Sequence, residues 1–274
     1  MTTHTTKLFG VLAHPGGENM FHSLLAKKAE EMNVDAAFLL FDFQAKDIAD
    51  PVEALRRLRA GGAYLTGRLR EAAGGLVDYL SDEAHGTGTI NAITFDGDTA
   101  TGHNTEAKAI IDLLEGHSEK FGKRSAVILG GGVMARAAAY AVVRHFRVKH
   151  VTIAARDTQH AQIVKQLVSS AKTDSRIEAC ELFPPDIADQ LAEARLIINA
   201  TSIGQSPEDE ESPITLPDLF HSGQVVLDVV HNPASTKLLQ DATQGGATVI
   251  GGDQVLRQQI DAAFALLTGI KEEK

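Results

Sequence analysis

Residues 127–138 read VILGGGVMARAA. An apolar run leads into three glycines, and an alanine-rich stretch follows. The run reads as a strand buried on both faces, and the alanine-rich stretch as a helix. Gly130, Gly132 and Ala135 fill the positions of G-x-G-x-x-G/A. Gly130 permits the tight turn, Gly132 lets backbone approach a pyrophosphate, and Ala135 lets the helix pack closely on the strand. The helix start, with Val133 and Met134, faces the anion with free N–H groups and a partial positive charge. A second strand, HVTIAARD (150–157), lies within the distance this motif requires. A βα turn without a ligand is the alternative reading.

The end of that second strand bears on the choice of dinucleotide. Arg156 is placed to pair with a 2′-phosphate and to stack on adenine, which points to NADP. Asp157 beside it pulls toward the ribose hydroxyls of NAD. NADP is the expected cofactor over NAD.

The surrounding chain is consistent with this reading. ARLIINATS (194–202) and GQVVLDVV (223–230) are further apolar runs, and QHAQIVKQLVSSA (159–171) has helical spacing. Strand and helix alternate from about 125 to 230, which is the pattern of a doubly wound parallel sheet. Before it lie strands at 7–13, 36–43 and 63–66, with helices between. Asp50 is expected to cap the second of these helices, with Pro51 at its first position. A hairpin turns at Asp96-Gly97. An amphipathic helix ends the chain near Gly269. The fold class expected is α/β, a Rossmann-type domain plus a smaller α/β substrate-binding domain with a cleft between them. Residues 1–104 and 246–274 form the substrate-binding domain, and 105–245 the dinucleotide-binding domain.

Composition narrows the function further. The chain has 274 residues, a net charge of −10, no tryptophan and one cysteine. That charge argues against nucleic acid as a partner. A lone Cys180 excludes an internal disulfide and suggests a reducing compartment, the cytoplasm; it reads as a buried strand residue and not as a nucleophile. Neither a signal peptide nor a membrane-length apolar run is evident, so no membrane partner is expected. No metal site is expected. The partner expected is a small-molecule substrate, with the protein a monomer or homodimer.

Six further stretches resemble motifs of the shikimate dehydrogenase family, in order and across nearly the whole chain. Its G-x-N-V-T-x-P-x-K is met by GAYLTGRLR (62–70), its G-A-V-N-T by GTINA (88–92), and its G-x-N-T-D by GHNTE (102–106). Its N-A-T-S-x-G is intact at 199–204. Its D-x-x-Y-x-P-x-x-T-x-L-L is met at 228–239, and its G-x-x-M-L-x-x-Q by GDQVLRQQ (252–259). The resemblance implies hydride transfer between a nicotinamide and an alicyclic hydroxy acid or ketone. It adds Asn199, Ala200, Thr201 and Gly252 to the cofactor contacts, and Thr66, Asn91 and Gln259 to the substrate contacts.

The chemistry-bearing positions depart from the family's pattern. Arg70 stands for its lysine, Glu106 for its aspartate and Tyr64 for its asparagine, while Arg68 replaces its proline. The pair of serines that holds the substrate carboxylate is missing, since AHPGGENMFH (13–22) reaches its histidine early. A guanidinium does not give up its proton near neutrality, so Arg70 is expected to act as a fixed cation and not as a base. Arg70 and Glu106 are the candidate catalytic pair; a purely structural ion pair is the other reading. Tyr64 is expected to line the substrate pocket. His14, His22 and His103 are candidates for moving a proton. The resemblance implies shikimate/3-dehydroshikimate or a related acid as the substrate, and the changed residues favour a related acid over shikimate itself; a sensor that binds dinucleotide and a small acid without much catalysis is the competing function.

Overall fold

The computed structural model describes residues 3–16, 19–170 and 173–271. The chain separates into two compact units, Met1–Glu106 with Gln259–Lys274, and Ala107–Gln258.

The first unit is built on a mixed sheet: β1 (Lys7–Ala13), β2 (Ala36–Asp42), β3 (Gly62–Leu65), β4 (Tyr79–Leu80), β5 (Ala92–Asp96) and β6 (Thr99–His103), in the order β2-β1-β3-β5-β6-β4. The three strands β2, β1 and β3 are parallel, and β5 and β6 form an antiparallel hairpin. Residues of β1 are divided between the two faces. Phe9 and Val11 pack with Leu25, Phe38 and Phe264, whereas Leu12 packs with Ile48, Val52 and Leu55. Burial on both faces explains why β1 reads as a continuous apolar run. The helix Ala49–Arg57 begins before the expected cap at Asp50. A 3-10 turn, Ala45–Asp47, runs into it through Ile48 in the helical conformation, so Asp50 lies inside the first turn.

The second unit holds β7 (Ser125–Leu129), β8 (His150–Ala155), β9 (Arg176–Glu181), β10 (Leu196–Asn199), β11 (Val225–Asp228) and β12 (Thr248–Ile250). Their order, β12-β11-β10-β7-β8-β9, is all parallel and is that of the dinucleotide-binding doubly wound sheet. Along β7, Ala126 and Ile128 face one cluster with Ala135, Ala138 and Val142. Val127 and Leu129 face another with Leu191 and Leu238. Cys180 sits half-buried on the edge strand β9, and burial pushes its thiol pKa up.

Residues 246–258, assigned by the sequence reading to the first domain, lie in the second unit. Thr248–Ile250 pairs with β11, and Val255 enters the second unit's core. The final helix, Gly252–Thr268, then contributes Ile260, Ala263, Phe264 and Leu267 to the first unit's core. Among the described residues, no helix is long and apolar enough to cross a membrane.

Candidate active site

The turn after β7 is shaped by its neighbours. Gly130 has φ +122, and its N–H donates to the Ala154 carbonyl at 2.7 Å. A Cβ there would stand 2.7 Å from the Ala200 oxygen, so the protein itself demands glycine. Gly132 differs. Its φ of −86 is ordinary, it precedes the helix Val133–Tyr140 with no side-chain cap, and a Cβ would meet nothing within 4 Å. Nothing among the described residues requires glycine at 132, whereas a phosphate drawn to the uncapped helix start would. Met134 packs against the core and Ala135 is fully buried, while Val133 stays half-exposed in the first turn.

Asn199, Ala200 and Thr201 form the neighbouring turn. The Asn199 Oδ1 accepts from the Thr201 N–H at 3.0 Å and its hydroxyl at 2.7 Å. Its Nδ2 donates to Asp228 at 2.9 Å, and the Ala200 N–H donates to the Leu129 carbonyl at 2.8 Å. Asn199 thus fixes the shape of this turn against the glycine turn. Sequence reasoning missed the buried Asp228 as the hub of this arrangement, although it opens a quoted motif. It accepts from Asn199, from the Val230 N–H at 3.0 Å and from the Thr236 hydroxyl at 2.6 Å. Burial outweighs these donors and pushes its pKa up to about 6. Gly252 is required by packing, since a Cβ would stand 2.1 Å from the Val230 carbonyl oxygen.

At the end of β8, the Asp157 carboxylate accepts from the Gln159 N–H at 2.8 Å and caps the helix Thr158–Ser169. It is engaged as a cap, which weakens its claim on a ribose. Arg156 is exposed and makes no hydrogen bond or ion pair among the described residues.

In the first unit the loop after β3 carries Arg70, whose Nη1 pairs with Glu106 Oε1 and whose Nε donates to the Gly67 carbonyl at 3.1 Å. Arg70 is one-fifth exposed, and the Glu106 side chain only 3%. Burial works against the guanidinium charge, but the Glu106 carboxylate more than offsets it and holds the Arg70 pKa above its usual value. The second carboxylate oxygen, Glu106 Oε2, is buried and has no hydrogen-bond partner among the described residues.

Asn91 positions Glu106. Its Oδ1 accepts from the Thr105 N–H at 2.8 Å at the start of the helix Thr105–Glu115, and its Nδ2 donates to the Thr105 hydroxyl at 2.9 Å. Its side chain also hydrogen-bonds the Tyr64 phenol. Asn104 adds a second anchor, donating to the Thr87 and Thr89 hydroxyls, each at 3.0 Å. Asn91 and Asn104 lie in motifs read from the sequence, but their bonds to Thr105 and to the Thr87–Thr89 pair were not visible there, because those threonines carry no signature of their own.

Tyr64 departs from its expected place in the substrate pocket. It is 1% exposed, its ring stacks on Phe21 at 5.0 Å, and it belongs to the core cluster with Phe9 and Phe264. Alternation along β3 puts the ring in the core. Burial first, and then the Glu106 carboxylate, push the phenol pKa up, so the hydroxyl stays protonated. Thr66 follows β3, and its Oγ1 accepts from Asn19 Nδ2 at 2.8 Å. Gln259 is buried in the last helix. Arg68 is exposed.

The histidines are engaged elsewhere. His14 bonds Asp42 at 2.7 Å, and His22 lies beside the Ser23 hydroxyl at 3.3 Å. His103 bonds the Thr94 hydroxyl at 3.0 Å, and burial lowers its pKa. Among the described residues no cluster of His, Cys, Asp and Glu could hold a metal ion.

Comparison with known proteins matches this architecture. A sequence profile of the shikimate / quinate 5-dehydrogenase family matches residues 112–211. An NADP(+) shikimate dehydrogenase of Caldanaerobacter subterraneus subsp. tengcongensis is 27% identical, over 97% of this chain and 92% of its own. Shikimate 5-dehydrogenase from Listeria monocytogenes, solved with shikimate and NAD, superposes with a TM-score of 0.91 at 23% identity, over 98% and 94% of the two chains. The ligand-free 5-ketofructose reductase of Gluconobacter sp. strain CHM43 gives 0.87 at 25% identity, over 99% and 96%. In its motif order, its two sheets and these matches, the chain is similar to the shikimate dehydrogenase family over nearly its whole length.

Proposed function

We propose that the chain is an NADP-dependent dehydrogenase acting on an alicyclic hydroxy acid or its ketone, with a preferred substrate other than shikimate. The observation that carries this reading is the buried Arg70–Glu106 pair with Glu106 Oε2 left without a partner. A buried acceptor without a donor is costly, and a substrate hydroxyl supplies the donor.

The glycine turn and Arg156 hold the cofactor, NADP in preference to NAD, and the name of the relative from Caldanaerobacter supports that choice. Bound NADP supplies a hydride acceptor for the carbinol carbon. The hydroxyl proton passes to Glu106 Oε2. Arg70 keeps its own proton, holds Glu106 in place and stabilises the oxygen as charge develops on it. Asn91 acts through Thr105 and Tyr64 to set this geometry. The first unit, which takes in Gln259 from the end of the chain, supplies the substrate contacts, with Thr66, Gln259 and the exposed Arg68 as binding groups. The protein works in the cytoplasm as a monomer or homodimer. Relatives named as dehydrogenases favour turnover over the sensor reading.

The test is steady-state kinetics with shikimate, quinate and a panel of cyclic hydroxy acids, using NADP and NAD in turn. Turnover on a panel member with NADP, and little on shikimate, is the expected result. Shikimate turnover near a typical enzyme value of about 10 per second would remove the changed-substrate reading. Dinucleotide binding with no turnover on any panel member would favour the sensor.

A further inference from the structure

The parallel sheet of the second unit has two ends. The glycine turn lies at the carboxyl end of β7. At the amino ends of β7, β8 and β9, roughly 17 Å away along a five-residue strand, lies a cavity of about 590 Å³. Lys123, Arg144, Arg147 and Lys149 line it, with Asp174 as the one acid. This is a concentration of positive charge in a chain of net −10.

These cations differ from others on the surface. Arg56, Arg57, Lys108 and Lys237 each pair with an acid three or four residues away. Lys123, Arg144 and Arg147 make no ion pair or side-chain hydrogen bond among the described residues, and Lys149 reaches Asp174 only at 3.8 Å. Uncompensated like charges held together repel, and an anion between them removes that repulsion.

The backbone places these charges in an unusual way. Lys123 and Arg147 follow helix ends with φ of +59 and +53, positions where glycine or asparagine is the usual occupant. Long cations at both positions incur a conformational cost that glycine would not. Arg144 lies on a π-helical turn, Ala141–His145, that continues the helix Val133–Tyr140. Such turns redirect side chains and recur at functional sites. Thr173 adds a hydroxyl. Its Oγ1 accepts from the Ser175 N–H at 3.1 Å, so its proton is available to a ligand.

We propose that this cavity binds a small polyphosphorylated anion, at a site separate from the glycine turn. Guanidinium forks match phosphate oxygens bidentately, and several cations in one cavity suit more than one phosphate. The ligand is either free polyphosphate or the phosphate chain of a nucleotide.

Calorimetric titration of the full chain with tripolyphosphate, ATP and monophosphate, at about 150 mM salt with saturating NADP, tests the proposal. Saturable tripolyphosphate binding is expected, on the order of tenfold or more weaker in Arg144→Gln/Arg147→Gly. NADP affinity should stay unchanged. The melting temperature should hold or rise, because glycine suits the left-handed position at 147. ATP binding as tightly as tripolyphosphate would assign the site to nucleotides, and tripolyphosphate alone would assign it to the free anion. Absent saturation, equal affinity in wild type and variant, or monophosphate binding as tightly as tripolyphosphate would each overturn the proposal.

Discussion

In the second unit, the groups that would hold a cofactor are largely backbone. They comprise an uncapped helix start, a glycine at 132 with open space where a Cβ would be, and a turn fixed by Asn199. In the first unit the corresponding groups are side chains, Arg70 and Glu106, held by Asn91 and by Thr105. A backbone site depends on the absence of side chains and tolerates few changes. A side-chain site can be rewritten by substitution on an unchanged frame. The family's glycine turn is accordingly intact here, while its lysine and aspartate have become arginine and glutamate.

The largest effect expected from this contrast is at Gly132. Gly132→Val adds branched carbon where the protein offers no contact, at a φ of −86 that valine accepts. Folding should be unaffected. NADP affinity should fall at least about a hundredfold, because the side chain would occupy the space of the pyrophosphate. Thermal denaturation and NADP titration of the same variant check both parts. Retained affinity would mean that the turn does not hold a dinucleotide.

Arg70→Ala should act differently, on stability as well as activity. Removal of Arg70 leaves the Glu106 carboxylate buried without a counter-ion, and such deletions cost about 3 kcal/mol. Urea denaturation should record that loss, and turnover on the true substrate should vanish. Glu106→Gln in the Arg70→Ala background should recover much of the stability but none of the turnover. A variant as stable as wild type would mean that the pair is less buried than it stands here.

A smaller effect is expected at Arg156. It is exposed, so its contact with a 2′-phosphate is partly screened by solvent. Arg156→Ala should weaken NADP by about 1.5 kcal/mol, roughly tenfold, and leave NAD nearly unchanged. Parallel titrations with both cofactors decide it, and equal curves for wild type and variant with NADP would return the choice of cofactor to Asp157.

The same contrast explains what could be read from the sequence. Interior strands such as β1, β7 and β10 were legible because burial on both faces leaves continuous apolar runs. The edge strand β9 was not, because Arg176, Glu178 and Glu181 face solvent and only Ile177 is buried. Strand β12 has three residues, too few for a pattern, and so the boundary at 246–258 went to the wrong unit. Gly130 and Gly132 were found by spacing, but spacing does not distinguish a glycine the protein needs from one a ligand needs. Arg70 and Glu106 are 36 residues apart, and only a family motif connected them. The core packing of the Tyr64 ring was not legible, because a motif position does not say which face of a strand it occupies. Asp157 looked like a ribose ligand because a helix cap has the same local signature.

The smallest effect is an expected absence of effect. Arg70→Lys with Glu106→Asp restores the family's pair, and if the pair alone set the substrate, shikimate oxidation should appear. The rest of the first unit argues against that. The loop after β1 carries no serine pair for a carboxylate; its His14 and its Gly16 N–H, the latter at 2.9 Å, bond instead to Asp42 at the end of β2. These contacts, the Gly16 N–H first, hold the Asp42 carboxyl below its usual pKa, so the charge facing that loop is negative. Shortening Glu106 by one methylene also draws its carboxylate back from a position set by Asn91 and Thr105. Shikimate kinetics of the double variant should therefore match those of wild type, with kcat/KM near background for both. A clear gain in the double variant would mean that the pair by itself selects the substrate, and that the altered loop after β1 plays no part in the choice.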